Sequence, residues 1–283
     1  QYTAARKKLR APFSEDAALN ENLLKCLVLL EDCPDLMERV FSGRYFSDSK
    51  YFERVLKGKV LSILKELHKR APEAAEDGNS PLSDEDLLAE RGLYRWPEVF
   101  EYSGALTVHM DDGSCFDTGV HRYGAYLNSE EVRHIAAVDG SAIRRVVFIE
   151  NKANYMDFQA RRRQPGDLVV YHGGFYSPVK GLLFAKIYEG CPNAAFYHWS
   201  DIDLGGFRLF CRLRSSIAPT VQPLFMDVET LERNAASCMK ITAPAYLAQL
   251  SALLDDAEYA VFWEVIRYML AHRVRLEQEN LIE

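Results

Sequence analysis

The sequence has no apolar run near the ~20 residues that a membrane-spanning helix needs. Its N-terminus also lacks the basic start, apolar stretch and small-residue cleavage site of a secretory signal. A cytoplasmic chain without membrane contact is therefore expected. The chain starts at Gln1 and not at Met, so an N-terminal piece is expected to be missing. Cysteine pairs at metal-ligand spacing are absent too: Cys26, Cys33, Cys115, Cys191, Cys211 and Cys238 are scattered, with no C-x-x-C and no histidine at zinc-finger distance. Reduced, mostly buried thiols are the expectation. There is no internal repeat, no coiled coil of useful length, and no overall positive charge of the kind a general nucleic-acid binder carries, since the net charge is -7. That average hides an asymmetry. Residues 141–240 hold 13 Lys+Arg against 9 Asp+Glu, a balance of +4, and leave -11 elsewhere. Arg161, Arg162 and Arg163 form the sharpest basic cluster, and Arg208, Arg212 and Arg214 follow at helical spacing. Such clusters are more often solvated surface than a phosphate track.

What is present is enough apolar sequence, 48% of 283 residues, for a large core and two domains. LNENLLKCLVLLEDC and YFERVLKGKVLSILKELHKR repeat apolar residues at three- and four-residue spacing, with Pro34 breaking the first from its successor, so residues 1–75 read as a helical N-terminal region. APEAAEDGNSPLSDEDLL reads as a linker that ends in a capping box near Ser83. VFEYSGALTVHMDDGSCFDTG alternates around a DDGS turn, which suggests a hairpin within a small winged-helix-like module over residues 76–140.

From residue 144 the pattern changes to short apolar β-type runs separated by helical stretches: RVVFIEN, DLVVYHGG, AAFYHWSDID and VQPLFMD. This alternation predicts βαβ units and a buried parallel sheet over residues 141–283, with residues 244–283 helical again. Such sheets bind ligands at the carboxyl ends of their strands, where Glu150, Asp201 and Asp203 stand. In extended chain, the i, i+2 spacing of Asp201 and Asp203 points both carboxylates one way and turns Ile202 into the core. Two acids so placed at the end of an apolar strand call for a cation, and Mg²⁺ prefers hard carboxylate oxygens. Gly205 and Gly206 then allow a sharp turn and leave room for something bulky such as a phosphate. Glu150 would complete a metal site or handle protons for an attacking water. Gly173 and Gly174 would turn close to the same place. Each feature is ordinary alone; their order along the chain is what argues for a site.

The series FIENK, VVYHGGF and HWSDIDLGGF resembles the Toprim domain, and its wording is similar to the JetD family of nuclease subunits in Wadjet-type plasmid-defence systems. RYFSDSKYFE at residues 44–53 and LEQENL at 276–281 support the closer resemblance, which covers roughly residues 40–283. That family resembles the A subunit of type IIB topoisomerases, which joins a winged-helix (CAP-like) module to a Toprim domain. The resemblance implies an α/β fold with a Rossmann-like parallel sheet flanked by helices, and Mg²⁺-dependent cleavage of double-stranded DNA with Mn²⁺ as a possible substitute. It also implies Glu150 as the Toprim glutamate, Asp201 and Asp203 as the DxD pair, a homodimer, and a condensin-like SMC ATPase complex that delivers circular plasmid DNA.

One departure bears on the chemistry. The arginine-containing double-tyrosine motif of the topoisomerases is missing, and Tyr51, Tyr94, Tyr102, Tyr123 and Tyr126 are nucleophile candidates only by elimination. Water is the better-supported nucleophile. A tyrosine transesterase, a non-catalytic DNA-binding adaptor and an RNA-processing Toprim enzyme are the rival readings. Lys50 would contact DNA backbone or stabilise a turn. Lys152 would pair with Glu150, bind a phosphate or stay a surface lysine. His172 and His198 read as structural histidines or as contacts to phosphate, and Trp199 and Phe207 as core.

Overall fold

The structure is a computed structural model that describes residues 11–32, 34–70, 83–174 and 176–282. The linker read over 71–82, Cys33 and the first ten residues lie outside the described residues. No helix among the described residues is long and apolar enough to cross a membrane. The chain forms two compact units, residues 11–70 with 83–98 and 176–178, and residues 99–174 with 179–282.

The first unit is helical, as its apolar spacing predicts. It contains α1 (Ala17–Glu31), α2 (Glu38–Phe46), α3 (Lys57–Arg70) and α4 (Asp84–Ala89). Asp16 caps α1 by accepting from Leu19 N at 3.0 Å, and Ser83 and Asp86 form the expected capping box of α4. Leu23, Cys26, Phe41, Phe52, Leu56, Val60 and Leu93 make its core. Short strands β1 (Leu36–Met37) and β2 (Leu93–Tyr94) pair in parallel beside it.

The second unit is built on a six-stranded sheet. Its strands are β3 (Val99–Ser103), β6 (Ala125–Asn128), β8 (Arg145–Ile149), β9 (Asp167–Tyr171), β10 (Ala195–Trp199) and β11 (Gln222–Pro223), in the order β11-β10-β8-β9-β3-β6. The three strongest apolar runs became β8, β9 and β10, paired in parallel register from Arg145↔Asp167 and Arg145↔Ala195 onward. The sheet is nevertheless mixed and not parallel throughout, because β3 joins β9 antiparallel and β6 joins β3 antiparallel. The DDGS hairpin does form, as β4 (Thr107–Met110) and β5 (Cys115–Asp117), with β7 (Ile135–Asp139), reached through the short helix α5 (Ser129–Arg133), as a third strand. VFEYS at its start leaves the hairpin for the larger sheet. Gly104 makes that departure possible: its φ is +151°, and a Cβ there would lie 2.7 Å from Asp167 O.

Both faces of the central strands are covered, which explains their continuous apolar sequence. On one face Val147, Ile149, Val169 and Trp199 pack with Tyr155 and Phe158, carried by α6 (Lys152–Asp157) and the π-helical turn Phe158–Arg162. On the other, Phe148 meets Phe184 of α7 (Pro178–Gly190), and His198 meets Phe210 of α8 (Leu204–Ser216). Arg145 ties the amino ends of β8 and β9 together through Asp167, with Nε–Oδ1 at 2.9 Å and Nη2–Oδ2 at 2.5 Å.

Beyond α8 come α9 (Val228–Arg233), β12 (Met239–Lys240), α10 (Pro244–Ala252), α11 (Trp263–His272) and β13 (Val274–Arg275). The expectation of helix from 244 to 283 fails after His272. Arg273 takes the left-handed conformation, with φ 53°, and ends α11. The chain then runs as β13 against β12, bridges Leu276 to Ile202, and closes in a 3-10 turn at Gln278–Leu281. This strap crosses the carboxyl end of the sheet.

Candidate metal centre

The parallel register of β8, β9 and β10 puts their carboxyl ends side by side. Glu150 N donates to Trp199 O at 3.0 Å and His172 N to Ile149 O at 2.7 Å, so the three strand ends are locked to one another. Glu150, Asp201 and Asp203 gather there, close enough for the charges of Asp201 and Asp203 to act on Glu150. Asp203 is 1% exposed and Asp201 6% exposed. Asp203 caps α8, its Oδ1 accepting from Gly206 N at 2.8 Å, while Ile202 is buried as the alternation requires.

The second glycine of the DxDxGG motif serves the protein's own packing. A Cβ on Gly206 would lie 2.1 Å from Asp201 O and 2.6 Å from Ser200 Oγ, so the space read as room for a phosphate is filled by backbone. Gly174 does turn beside the site, where a Cβ would stand 3.6 Å from Glu150 Oε1.

The strap adds what the linear sequence did not reveal. One carboxylate oxygen each from Asp201, Glu277 and Glu279 lie within 4.8 Å of one another. Gln278 between them is 1% exposed and joins four groups. Its backbone N donates to Asp201 Oδ1 at 2.6 Å and its Nε2 to Trp199 O at 3.1 Å. Its Oε1 accepts from Asn151 N at 3.0 Å and its backbone O from Asn154 Nδ2 at 2.7 Å. Asn151 also donates through Nδ2 to Glu279 Oε1 at 2.5 Å. Arg275 reaches Asp203 Oδ2 at 3.6 Å and Glu277 Oε1 at 3.4 Å. Acid counted outside residues 141–240 in the sequence is thus returned to the strand ends by the fold. Glu277 and Glu279 fold back onto those ends; the one available signal was their i, i+2 spacing, which repeats that of Asp201 and Asp203.

Five carboxylates therefore share this edge of the sheet, and Arg275 is the cation that forms ion pairs with them among the described residues. Burial, then the charges of Asp201 and Asp203, raises the Glu150 carboxyl well above the usual range. Burial and the neighbouring Asp203 push Asp201 up to about 8. Asp203 is raised by burial against the opposing pull of Gly206 N–H and Arg275. Glu277 is raised by burial despite Arg275. Glu150 Oε2 is buried and has no hydrogen-bond partner. A donor set of hard, crowded oxygens with an orphaned carboxylate atom fits a divalent cation such as Mg²⁺.

Other expected contacts resolve differently. Lys152 pairs with Glu101 of β3 and lies over the Tyr155 and Tyr171 rings, so it is not the partner of Glu150. Arg161 and Arg162 pair with Asp157 at 3.3 and 3.5 Å. Arg162 also lies over Trp199 and donates to Leu281 O. Arg163 donates to Arg122 O, Arg208 to Gln249 and Arg214 to Glu258 O, so these basic residues hold the fold together. His172 and His198 are fully buried, their rings 5.1 Å apart, and Trp199 and Phe207 are core. Lys50 N donates to Asp48 Oδ1 within a turn. Cys26, Cys191 and Cys211 are buried, Cys238 is half-buried and Cys115 exposed, all as free thiols. Of the tyrosines, Tyr102 is buried and its hydroxyl pushed up to about 12, Tyr51 accepts from Asn22 in the helical unit, and Tyr123 and Tyr126 are exposed.

The chain is 26% identical over 265 residues to the Wadjet protein JetD of Bacillus cereus (strain Q1), an alignment covering 93% of this chain and 61% of that relative. It thus spans about three fifths of the curated relative's length. The family model for the C-terminal part of Wadjet protein JetD matches residues 115–283, a span that holds every acid of the centre. The chain accordingly belongs to the JetD family of Wadjet proteins.

Proposed function

We propose that the chain is the metal-dependent DNA endonuclease subunit of a Wadjet anti-plasmid system, with a Toprim-type site at Glu150, Asp201 and Asp203. In this reading residues 141–283 are the Toprim domain with its C-terminal helices, residues 76–140 a winged-helix (CAP-like) module and residues 1–75 a helical N-terminal region. The protein works in the cytoplasm, as a homodimer, on circular double-stranded DNA delivered by an SMC-type ATPase complex. The observation that carries the proposal is the buried, unpartnered Glu150 Oε2 beside Asp201 and Asp203 at the joined carboxyl ends of β8 and β10.

Asp201, Asp203 and Glu150 would hold Mg²⁺, which when bound supplies neutralisation of phosphate charge and a more acidic water. The protein's own part is positional. Trp199 O fixes Glu150 N, Gly206 N fixes Asp203, and Gln278 N fixes Asp201, so each acid presents a restrained oxygen. Glu150, its carboxyl raised well above the usual range by burial and by the charges of Asp201 and Asp203, is suited to receive or return a proton at Oε2. A water nucleophile agrees with the tyrosines: Tyr102, in the sheet, has a buried hydroxyl raised away from the ionised form that attack requires.

The test is cleavage of closed circular plasmid by the purified chain, with and without its SMC partner complex, in Mg²⁺ or Mn²⁺ against EDTA. Metal-dependent nicking or linearisation should disappear in Glu150→Ala and Asp201→Ala. Equal cutting by both variants would remove this site from the chemistry, and plasmid restriction in cells unchanged by either would favour the adaptor.

A further inference from the structure

The geometry points to Glu277 and Glu279 of the C-terminal strap as ligands of a divalent cation, sharing Asp201 with the Toprim-type acids. This rests on the metal-dependent reading above and extends it to residues outside the Glu and DxD set. Oxygens of Asp201, Glu277 and Glu279 fall within 4.8 Å of one another, the span of a single hard cation's coordination sphere. Neither strap acid is placed there loosely. The buried Gln278 between them is held by Asn151 N, Trp199 O, Asp201 Oδ1 and Asn154 Nδ2, so its two neighbours are carried to the strand ends by four hydrogen bonds.

The charge at this edge is not balanced by the ion pairs that the described residues make. Arg275 engages Asp203 and Glu277, which leaves Glu150, Asp201 and Glu279 without an ion pair among the described residues. Asn151 Nδ2 orients Glu279 through Oε1. Glu150 meanwhile buries Oε2 with no hydrogen-bond partner at all. Buried carboxylate oxygens without donors cost free energy unless something positive completes them, and a cation among Asp201, Glu277 and Glu279 neutralises the charge that faces Glu150. Glu277 is half-buried and Glu279 exposed, which leaves an open side for waters and a phosphate oxygen. Mg²⁺ and Mn²⁺ keep such waters, and these two ions are the ligands proposed.

The experiment measures Mn²⁺ binding to the EDTA-stripped full chain by the electron paramagnetic resonance signal of free Mn²⁺. It compares wild type with the double variant Glu277→Gln/Glu279→Gln, with Glu279→Gln alone, and with Glu229→Gln, an exposed acid of α9, as control. Circular dichroism and thermal unfolding in EDTA check the fold. The expected result is at least tenfold weaker Mn²⁺ binding in the double variant, a smaller loss in Glu279→Gln, and no change in the control. Wild-type affinity in the double variant overturns the assignment, and so does a wild type that binds no Mn²⁺. If the double variant does not fold, Glu279→Gln decides, since its side chain is exposed. Strap-dependent Mn²⁺ binding in a protein that cuts no DNA with its partner complex would sink the nuclease reading and leave the strap assignment standing. Cutting and binding both retained in the strap variant would do the reverse.

Discussion

Replacing Gln278 by Ala removes a side chain that ties the ends of both β8 and β10 to the strap. Two hydrogen bonds go, Asn151 N to Oε1 at 3.0 Å and Nε2 to Trp199 O at 3.1 Å. The backbone contacts of residue 278 to Asp201 and Asn154 need no side chain and remain available. Each lost neutral bond is worth about 0.5–1.5 kcal/mol net, but a backbone group left buried and unpaired costs about 1–3 kcal/mol. Asn151 N–H is left without a partner while Trp199 C=O keeps the Glu150 N–H, so the loss should be roughly 1.5–4 kcal/mol. Urea unfolding in EDTA, followed by intrinsic fluorescence, should show a lower midpoint with an unchanged slope for the transition of the sheet unit. Asn280→Ala, an exposed position on the same strap, should stay within about 0.5 kcal/mol of wild type. Gln278→Glu should fare no better than Ala, because it keeps the acceptor, points oxygen at Trp199 O and adds another acid to the five. A Gln278→Ala protein as stable as the Asn280→Ala control would refute the view that this residue clamps the strand ends.

Three further outcomes follow from the geometry. Gly206→Ala drives a Cβ to 2.1 Å from Asp201 O and should cost about 3 kcal/mol or more together with Mn²⁺ binding, whereas Gly174→Ala meets Glu150 Oε1 at an ordinary 3.6 Å and should be near neutral; calorimetry of the two variants compares them. His198, buried beside His172 with Lys180 and Arg212 nearby, has its ring pushed down to about 3 by burial. The folded state resists its protonation, so its contribution is complete above the unfolded value near 6.5 and shrinks as pH falls from there toward 3. At pH 5 that loss is about 2 kcal/mol, and the difference in stability between wild type and His198→Leu should change by this amount between pH 8 and pH 5; a flat difference would contradict it. Tyr102→Phe should cut plasmid at the wild-type rate without protein left on the DNA, and a covalent adduct lost in this variant would restore the tyrosine transesterase.

The parts of the fold that were legible in the sequence are those written in consecutive residues. RVVFI, DLVVY and AFYHW are apolar on both faces because the sheet is covered on both, and they could be read as central strands without knowing their partners. The acids that end these strands were legible for the same reason. Partner choice was not. Nothing within VFEYS says that it leaves the DDGS hairpin to pair with Val169 and Val170, since antiparallel pairing depends on a Gly104 conformation and on a strand far along the chain. Glu277 and Glu279 were hidden by the same distance: an E-Q-E after a helix is an ordinary surface pattern until Arg273 turns left-handed and Leu276 bridges to Ile202. The arginine clusters, read as more often solvated surface than a phosphate track, show the same limit. Their charge density is a local property, but its use is set by Asp157, Gln249 and the Glu258 carbonyl, which pair with them in the folded chain.

The strap also sets an order of events during synthesis. Gln278 is joined to Asp201 across 77 residues and to Asn151 across 127, so the ribosome must deliver the last acids well after the first. At roughly 5–20 residues per second, about 4–15 s separate the emergence of Asp201 from that of Gln278. Throughout that interval the nascent chain carries Glu150, Asp201 and Asp203 without the segment that fixes them. The five carboxylates are thereby kept from assembling at one edge of the sheet until translation of the strap.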